Sequence, residues 1–147
     1  MRARQAGGAL VLVLSMVAFL AVLAGIGVAG ALRACRLERE MLAGTRAALA
    51  ADDVLATFLE TGPGLLAGRE PGVPVRRELD LPPYGDLAAL GWYEARVLDR
   101  PPEGQALARV RFGARLQGPG GAVYRQEREA WVRLGEIPEI VAWRLAR

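Results

Sequence analysis

An uncharged apolar stretch near the N-terminus constrains this chain more than any other feature. The 23 residues from Leu10 to Leu32 contain no charged side chain. A helix of about 20 apolar residues crosses the hydrocarbon core of a bilayer, and a single helix satisfies all of its own backbone polar groups there. The sequence therefore predicts one membrane-spanning helix that anchors the rest of the chain.

The charge distribution separates the anchor from the remainder. Residues 1–36 carry four arginines and no acidic residue, whereas residues 37–147 carry 15 basic and 16 acidic residues, a net charge of −1. These 111 residues are enough for one domain with a modest core. Because the folded part has no net positive charge to attract phosphates, nucleic-acid binding is not predicted.

The residue inventory argues against catalysis. The chain has no histidine, one cysteine (Cys35) and one serine (Ser15), and Ser15 lies in the apolar stretch. The commonest general base, the usual zinc sites and a Ser–His or Cys–His pair are therefore excluded. We expect no enzyme activity, no cofactor and no metal. A mechanism that uses only the carboxylates of Glu94 or Asp99 ranks last, and turnover lost on changing either residue would reveal it.

Two other fates of the apolar stretch stay open. Ala29-Gly30-Ala31 has the small-x-small pattern of a signal-peptidase site, and Leu32 to Cys35 approaches a lipoprotein signal. The apolar stretch is long for the first, and Arg33 fits the second poorly.

Arginines flank both ends of the apolar stretch, so the positive-inside rule is nearly balanced. We expect a cytoplasmic N-terminus and a translocated C-terminal domain.

The residues before and at the start of the apolar stretch have a recognisable layout. From Arg4 to Val11 the sequence reads Arg-Gln-Ala-Gly-Gly-Ala-Leu-Val: a short basic leader, a glycine and then an abrupt apolar helix. This layout resembles the class III leader of type IV pilins and type II secretion pseudopilins. The resemblance implies that a prepilin peptidase cuts between Gly7 and Gly8, or after Gly8.

The resemblance extends beyond the apolar stretch. Leu37-Glu38-Arg39-Glu40-Met41-Leu42-Ala43-Gly44, followed by an alanine-rich run to Leu55, looks like the start of PilX-type minor pilins. Altogether the similarity covers about residues 4–60. Major pilins carry a glutamate at the fifth position of the mature chain, whereas this chain has Leu12 or Val13 there. The departure argues against a bulk fibre subunit and favours a tip or initiating subunit.

The resemblance implies a function in assembly. The chain is expected to be a minor pilin or pseudopilin in the bacterial inner membrane that helps initiate or cap a type IV pilus or type II secretion filament. Its expected partners are other pilins or pseudopilins and the prepilin peptidase. A bitopic inner-membrane protein with a periplasmic interaction domain is the alternative. The helix expected in the membrane or filament core includes Leu10, Leu12, Leu14, Phe19, Leu20 and Leu23.

The predicted architecture is α+β, with a leader over 1–7, a helix over 8–61 and a small globular domain over 62–147. Apolar residues recur every three or four positions and form one helical stripe, which is predicted to pack in the core beyond about Thr45: Leu37, Met41, Gly44, Ala48, Ala51, Leu55 and Phe58. The helix is expected to end near Glu60, because Gly62-Pro63-Gly64 follows. Residues 62–90 are rich in Gly and Pro and predict an irregular connection, with a short strand or a helical turn within it as the alternative.

The C-terminal part predicts an antiparallel sheet of three or four strands. Strand-like runs cover Trp92–Leu98, Leu107–Leu116, Val123–Leu134 and Glu139–Leu145, and turn residues such as Gly118-Pro119-Gly120-Gly121 separate them. One face is expected to pack on the helix and the other to meet solvent, with arginines and glutamates paired across strands. The sequence therefore predicts a pilin-like fold: a long N-terminal helix packed on a small antiparallel sheet.

Overall fold

The fold is α+β, as predicted: one long N-terminal helix packs on an antiparallel sheet. The computed structural model describes residues 2–99, 101 and 104–146, with side-chain surroundings from residue 10 onward. The sheet has five strands in the order β1-β2-β3-β4-β5, each antiparallel to its neighbours. The elements are α1 (Arg2–Leu66), β1 (Val75–Tyr84), β2 (Leu87–Asp99), β3 (Ala106–Gln117), a 3₁₀ turn (Pro119–Gly121), β4 (Val123–Leu134) and β5 (Glu139–Leu145).

The chain divides into two compact units, residues 1–41 and 42–147, with the boundary inside α1. In the second unit, α1 packs on the sheet mainly through small side chains: Ala43, Ala47, Ala50, Ala51, Val54 and Phe58 are buried. Four of these six residues are alanines. Phe58 supplies the bulk, and its ring meets that of Tyr93 edge to face with centroids 5.2 Å apart.

The predicted helical stripe is only partly right. Beyond Thr45, where core packing was predicted, Ala51 and Phe58 are buried, but Ala48 and Leu55 are only half-buried. The earlier residues of the stripe, Leu37, Met41 and Gly44, are exposed. The sheet instead contacts the alanine-rich side of α1, so the stripe is rotated by about one residue.

The predicted helix end is also wrong, because α1 continues through Pro63 to Leu66. Proline removes one backbone donor, but its own carbonyl accepts a hydrogen bond from the Ala67 amide at 3.1 Å. The helix stops where Gly68 adopts a left-handed backbone with φ of 75°. A residue with a Cβ is disfavoured in that conformation.

The irregular connection predicted over residues 62–90 is contradicted by β1. Within β1, Val75, Leu79 and Leu81 are half-buried, while the intervening Arg76, Glu78 and Asp80 are exposed. Pro82 and Pro83 lie at a register irregularity on this edge strand, where a missing amide interrupts little pairing. Gly85, with φ of 71°, then closes a two-residue turn into β2. The sheet therefore has five strands rather than three or four.

The other four strands confirm the predicted runs within a few residues. On β3, Val110, Phe112, Ala114 and Leu116 are buried, whereas Arg111 and Arg115 are exposed. The predicted glycine-rich turn between β3 and β4 forms, and the Gly118 amide donates to the Ala122 carbonyl at 2.9 Å. One face of the sheet, the helix side, therefore holds the core, and the opposite face, the outer face, carries the charged residues.

Candidate functional surfaces

The predicted membrane segment is the largest apolar surface in the described chain. Its helix is long and apolar enough to cross a bilayer, and no residue in the most apolar 18-residue stretch of this helix is buried. The six residues singled out from the sequence are 47% to 64% exposed: Leu10, Leu12, Leu14, Phe19, Leu20 and Leu23. A core helix of a water-soluble domain would bury such side chains. The exposure is therefore consistent with a single-pass membrane protein.

Polar and small residues within this segment suit an apolar environment. The Ser15 hydroxyl donates to the Val11 carbonyl at 2.9 Å, so its donor is satisfied inside the helix. Gly25, Gly27 and Gly30 face open space, since an added Cβ would meet no heavy atom within 4 Å. Cys35 is a free, exposed thiol. These features accommodate either lipid or neighbouring helices.

The proposed cleavage positions lie near the start of the chain. Gly7 and Gly8 belong to the backbone of α1. Residue 1 lies outside the described chain, and the surroundings of residues 2–9 lie outside the part whose side chains are described. Cleavage after Gly7 or Gly8 therefore stays a prediction from the sequence.

The outer face of the sheet carries one row of alternating charge across all five strands. Successive strand partners in this row are Arg76, Glu94, Arg111, Glu129 and Arg144. Opposite charges on neighbouring strands stabilise a sheet modestly. The register therefore confirms the predicted cross-strand pairing of arginines and glutamates in this row, whereas Arg96 faces Arg109 and Arg115 faces Arg125 in others.

Glu129 is the one buried charged side chain among the described residues, with 3% of its surface exposed. Arg109 donates to one of its carboxylate oxygens, and Arg144 donates to the other with its Nε at 2.8 Å. Arg144 also lies over the ring of Trp131, at 5.1 Å from the centroid. Burial alone would raise the pKa of the Glu129 carboxyl, but the hydrogen bonds and charges of the two arginines lower it below its usual value.

A depression of about 630 Å³ lies beside this cluster and is lined partly by Arg109, Arg111 and Arg144. Two of these arginines are already engaged by Glu129, so the surface has little free positive charge for a ligand. Glu94 lines a smaller depression of about 120 Å³, and Asp99 lies at the end of β2. Within the described residues, no group of three or more His, Cys, Asp or Glu side chains is placed to hold a metal ion.

The helix side of β5 is a surface that the sequence did not reveal. Ile140, Trp143 and Leu145 lie in register with helix-side residues of β4 but are 40%, 63% and 57% exposed. Arg128 of β4 pairs with Asp52 of α1, and its guanidinium lies 5.6 Å from the centroid of the Trp143 ring. An apolar sheet edge therefore continues past the part of the sheet that α1 covers. The sequence predicted the strands but not their order, so it could not show that β5 is an edge.

Comparison with protein families, curated protein sequences and solved structures finds no match for this chain. The resemblance to pilins therefore stands on the residues of the N-terminal segment alone. The described geometry adds the exposed apolar helix, the alanine-lined packing of α1 on the sheet and the two open sheet edges.

Proposed function

We propose that this chain is a minor pilin or pseudopilin-like subunit that helps initiate or cap a type IV pilus or a type II secretion filament. One observation carries the proposal: the same helix is apolar and exposed from Leu10 to Leu32 and then packs on an antiparallel sheet from Ala43 to Phe58. Such a helix suits a subunit that waits in a membrane and then enters a bundle of apolar helices.

The apolar segment supplies the association energy in this proposal. Burial of apolar surface contributes roughly 25 cal/mol per Å² when it leaves water. Within a membrane, close packing of small residues such as Gly25, Gly27 and Gly30 contributes instead. The N-terminus would lie in the cytoplasm, the sheet domain in the periplasm, and the partners would be other pilins or pseudopilins.

The residue at the position that major pilins fill with glutamate supports a role in a tip or initiating complex. Leu12 or Val13 occupies the fifth position of the mature chain and cannot neutralise the N-terminal amine of a neighbour. An unpaired ammonium in apolar surroundings is costly. A subunit at one end of a filament avoids repeating that cost along the fibre.

The absence of that glutamate also favours one alternative, a bitopic inner-membrane protein whose periplasmic domain binds partners outside any filament.

Cleavage by a prepilin peptidase distinguishes the two functions. We would express the full chain with and without an active prepilin peptidase and determine its intact mass and N-terminal peptides. A mature chain that begins at Gly8 or Ala9 only with the peptidase supports the pilin-like function, and a chain that still begins at Met1 refutes it.

Two glycine variants sharpen this measurement. Gly7→Val should abolish a cut after Gly7, and Gly8→Val should abolish a cut after Gly8. Gly25→Val is the matched control, because it makes the same change inside the apolar segment and should leave processing intact. Loss of processing in the control would show that the substitutions act through membrane insertion.

A further inference from the structure

The two edges of the sheet, β1 and β5, run in the same direction, because each strand in the order β1-β2-β3-β4-β5 is antiparallel to the next. Edge strands present unpaired backbone groups and can accept a further strand. Both edges carry apolar residues on the helix side and charged residues on the outer face. Side by side, two copies in one orientation therefore bring β5 of one against β1 of the next.

We infer that β5 of one copy pairs in parallel with β1 of a second copy. The charges on the two outer faces match at the same spacing. On β5, Glu139 and Arg144 are five residues apart, but they lie opposite Arg133 and Glu129 of β4, which are four residues apart. The difference arises because β5 has one extra residue at a register shift, so the two charges occupy ladder positions four apart. On β1, Arg76 and Asp80 are also four positions apart and exposed.

Aligning these positions places each charge beside an opposite one. Glu139 then lies beside Arg76 of the second copy, and Arg144 lies beside Asp80. Within its own chain Glu139 already pairs with Arg133, Arg76 with Glu78 and Arg144 with Glu129, so the contact adds to these pairs and gives only Asp80 a first partner. Asp80 is exposed, and no ion pair within 4.0 Å is recorded for it among the described residues, so its carboxylate can accept a partner. Cross-strand pairs of opposite charge stabilise a sheet, and like charges in the same place destabilise it.

The same alignment matches the helix sides. Trp143 of β5 lies beside Leu79 of the second copy, and Leu145 lies beside Leu81. Trp143 and Leu145 are 63% and 57% exposed, and Leu79 and Leu81 are half-buried, so pairing removes apolar surface on both sides from water. Ile140 lies beside Arg77, whose methylene chain can cover an apolar side chain.

Orientation selects this pairing over the symmetrical one. Two β5 strands joined by a two-fold axis would run the packed segments of α1, residues 42–66, in opposite directions. Pairing of β5 with β1 runs these segments in the same direction. The contact is also head to tail, so it leaves a free β1 and a free β5 at its ends and can repeat. The inference goes beyond the proposed function, because it requires only a second copy of the sheet domain in the same orientation.

Disulfide cross-linking of the full chain in native membranes tests the pairing. The variant Ala142→Cys with Glu78→Cys, in a Cys35→Ser background, places two exposed cysteines on the outer face of opposite edges. Within one chain these positions are separated by four strand spacings, about 19 Å, and cannot form a disulfide. Between copies they lie side by side. We expect mild oxidation to give a ladder of dimers, trimers and larger species.

Matched variants make the result specific. Replacing Glu78→Cys by Arg77→Cys moves the thiol to the neighbouring exposed residue on the other face of β1, and the ladder should disappear. Either a ladder of equal intensity in this control or only monomer with Ala142→Cys and Glu78→Cys overturns the inference. A dimer from Ala142→Cys alone would also overturn it, in favour of β5 pairing with β5.

A charge variant gives an independent readout. Asp80→Arg places a cation beside Arg144 of the next copy and should lower the cross-linked fraction roughly fivefold, since a like-charge pair replaces an opposite one. Glu70→Arg, the same change outside the strand, should leave the fraction unchanged. A chain that is cleaved by the peptidase but gives no ladder refutes this pairing alone, whereas an uncleaved chain that gives a ladder refutes only the pilin-like function.

Discussion

The two parts of α1 belong to one helix but differ in how they use apolar residues. From Leu10 to Leu32 the helix carries large side chains such as Phe19, and these are exposed. From Ala43 to Phe58 it carries mostly alanine on its sheet-facing side, and these residues are buried. Apolar bulk therefore marks the part of the helix that lacks a partner within the described chain, and small residues mark the part that packs.

The comparison shows that an apolar helix surface does not by itself place a helix in a core. A core helix needs a side-chain surface that matches its neighbour, and the buried side of α1 provides one that is mostly alanine. A membrane helix needs only an apolar exterior over sufficient length. The same substitution should therefore have different effects in the two parts of α1.

Phe58→Ala should have the largest effect on folding, because Phe58 is fully buried against Tyr93. We expect the free energy of unfolding of the sheet domain to fall by about 3–5 kcal/mol. Phe19→Ala is the matched control and should leave that stability unchanged while weakening membrane association. Denaturant unfolding of the full chain in detergent measures the first effect. Equal losses in both variants would break the distinction between the two parts of the helix.

Ala50→Leu should have the next largest effect. Ala50 has no exposed surface, so three added carbons must push α1 away from the sheet, at a cost of about 2–3 kcal/mol. Ala24→Leu makes the same change in the exposed segment and should be neutral or should strengthen membrane insertion. Thermal unfolding of both variants in the same detergent gives the comparison. A neutral Ala50→Leu would show that the alanine stripe is not closely packed.

Glu129→Gln tests a buried charge in the sheet unit. We expect a loss of about 2 kcal/mol, because two arginine hydrogen bonds to a carboxylate weaken. Glu38→Gln changes an exposed residue in the other unit and should change the free energy of unfolding little. Chemical denaturation at neutral pH measures both, and a loss in Glu38→Gln as large as that in Glu129→Gln would contradict the assignment.

The pH dependence of the Glu129 effect has a definite sign. The pKa of this carboxyl is lower in the folded chain than in the unfolded chain, so the unfolded chain binds the proton more readily. Its contribution to stability is complete above the unfolded pKa and is lost as the pH falls through the folded pKa. The difference between wild type and Glu129→Gln should therefore shrink in acid, as unfolding curves at decreasing pH would show.

Tyr84→Phe should have the smallest effect, about 1 kcal/mol, because it removes one hydrogen bond to Asp53 of α1. Burial, the hydrogen bond and the Asp53 charge raise the pKa of Tyr84 from 10.0 to about 12. The neutral phenol is favoured by folding, so this contribution is complete below pH 10 and is lost as the pH rises through about 12. Ultraviolet titration of wild type and variant isolates the phenol, and a Tyr84 that ionises like an exposed tyrosine would contradict the contact.

The sequence predicted the fold class because its strongest patterns are local. The apolar stretch, the alternation on β3 and the turn at Gly118 each need only a few neighbouring residues to be recognised. The strand β1 was missed because Pro82 and Pro83 weighed against a strand, although Val75, Leu79 and Leu81 alternate with charged residues. Proline is tolerated there because β1 is an edge, which only the strand order shows.

The candidate surfaces were less predictable than the fold. The exposed apolar helix followed from composition, but the pairing of Glu129 with Arg109 and Arg144 depends on the register of three strands. Trp143 looked like an ordinary strand residue, since the sequence does not tell a covered strand from an uncovered one. Non-local pairing therefore sets the limit of what the sequence alone predicts here.

The way the packed part of α1, residues 42–66, is held has a mechanical consequence. A pull along the axis of this part loads its buried face against the strands in shear. Arg46–Asp86, Asp52–Arg128 and Asp53–Tyr84 tie both flanks of that face to the sheet and resist sliding together. An extracted subunit would therefore transmit force to its sheet domain through the same residues that hold the domain folded.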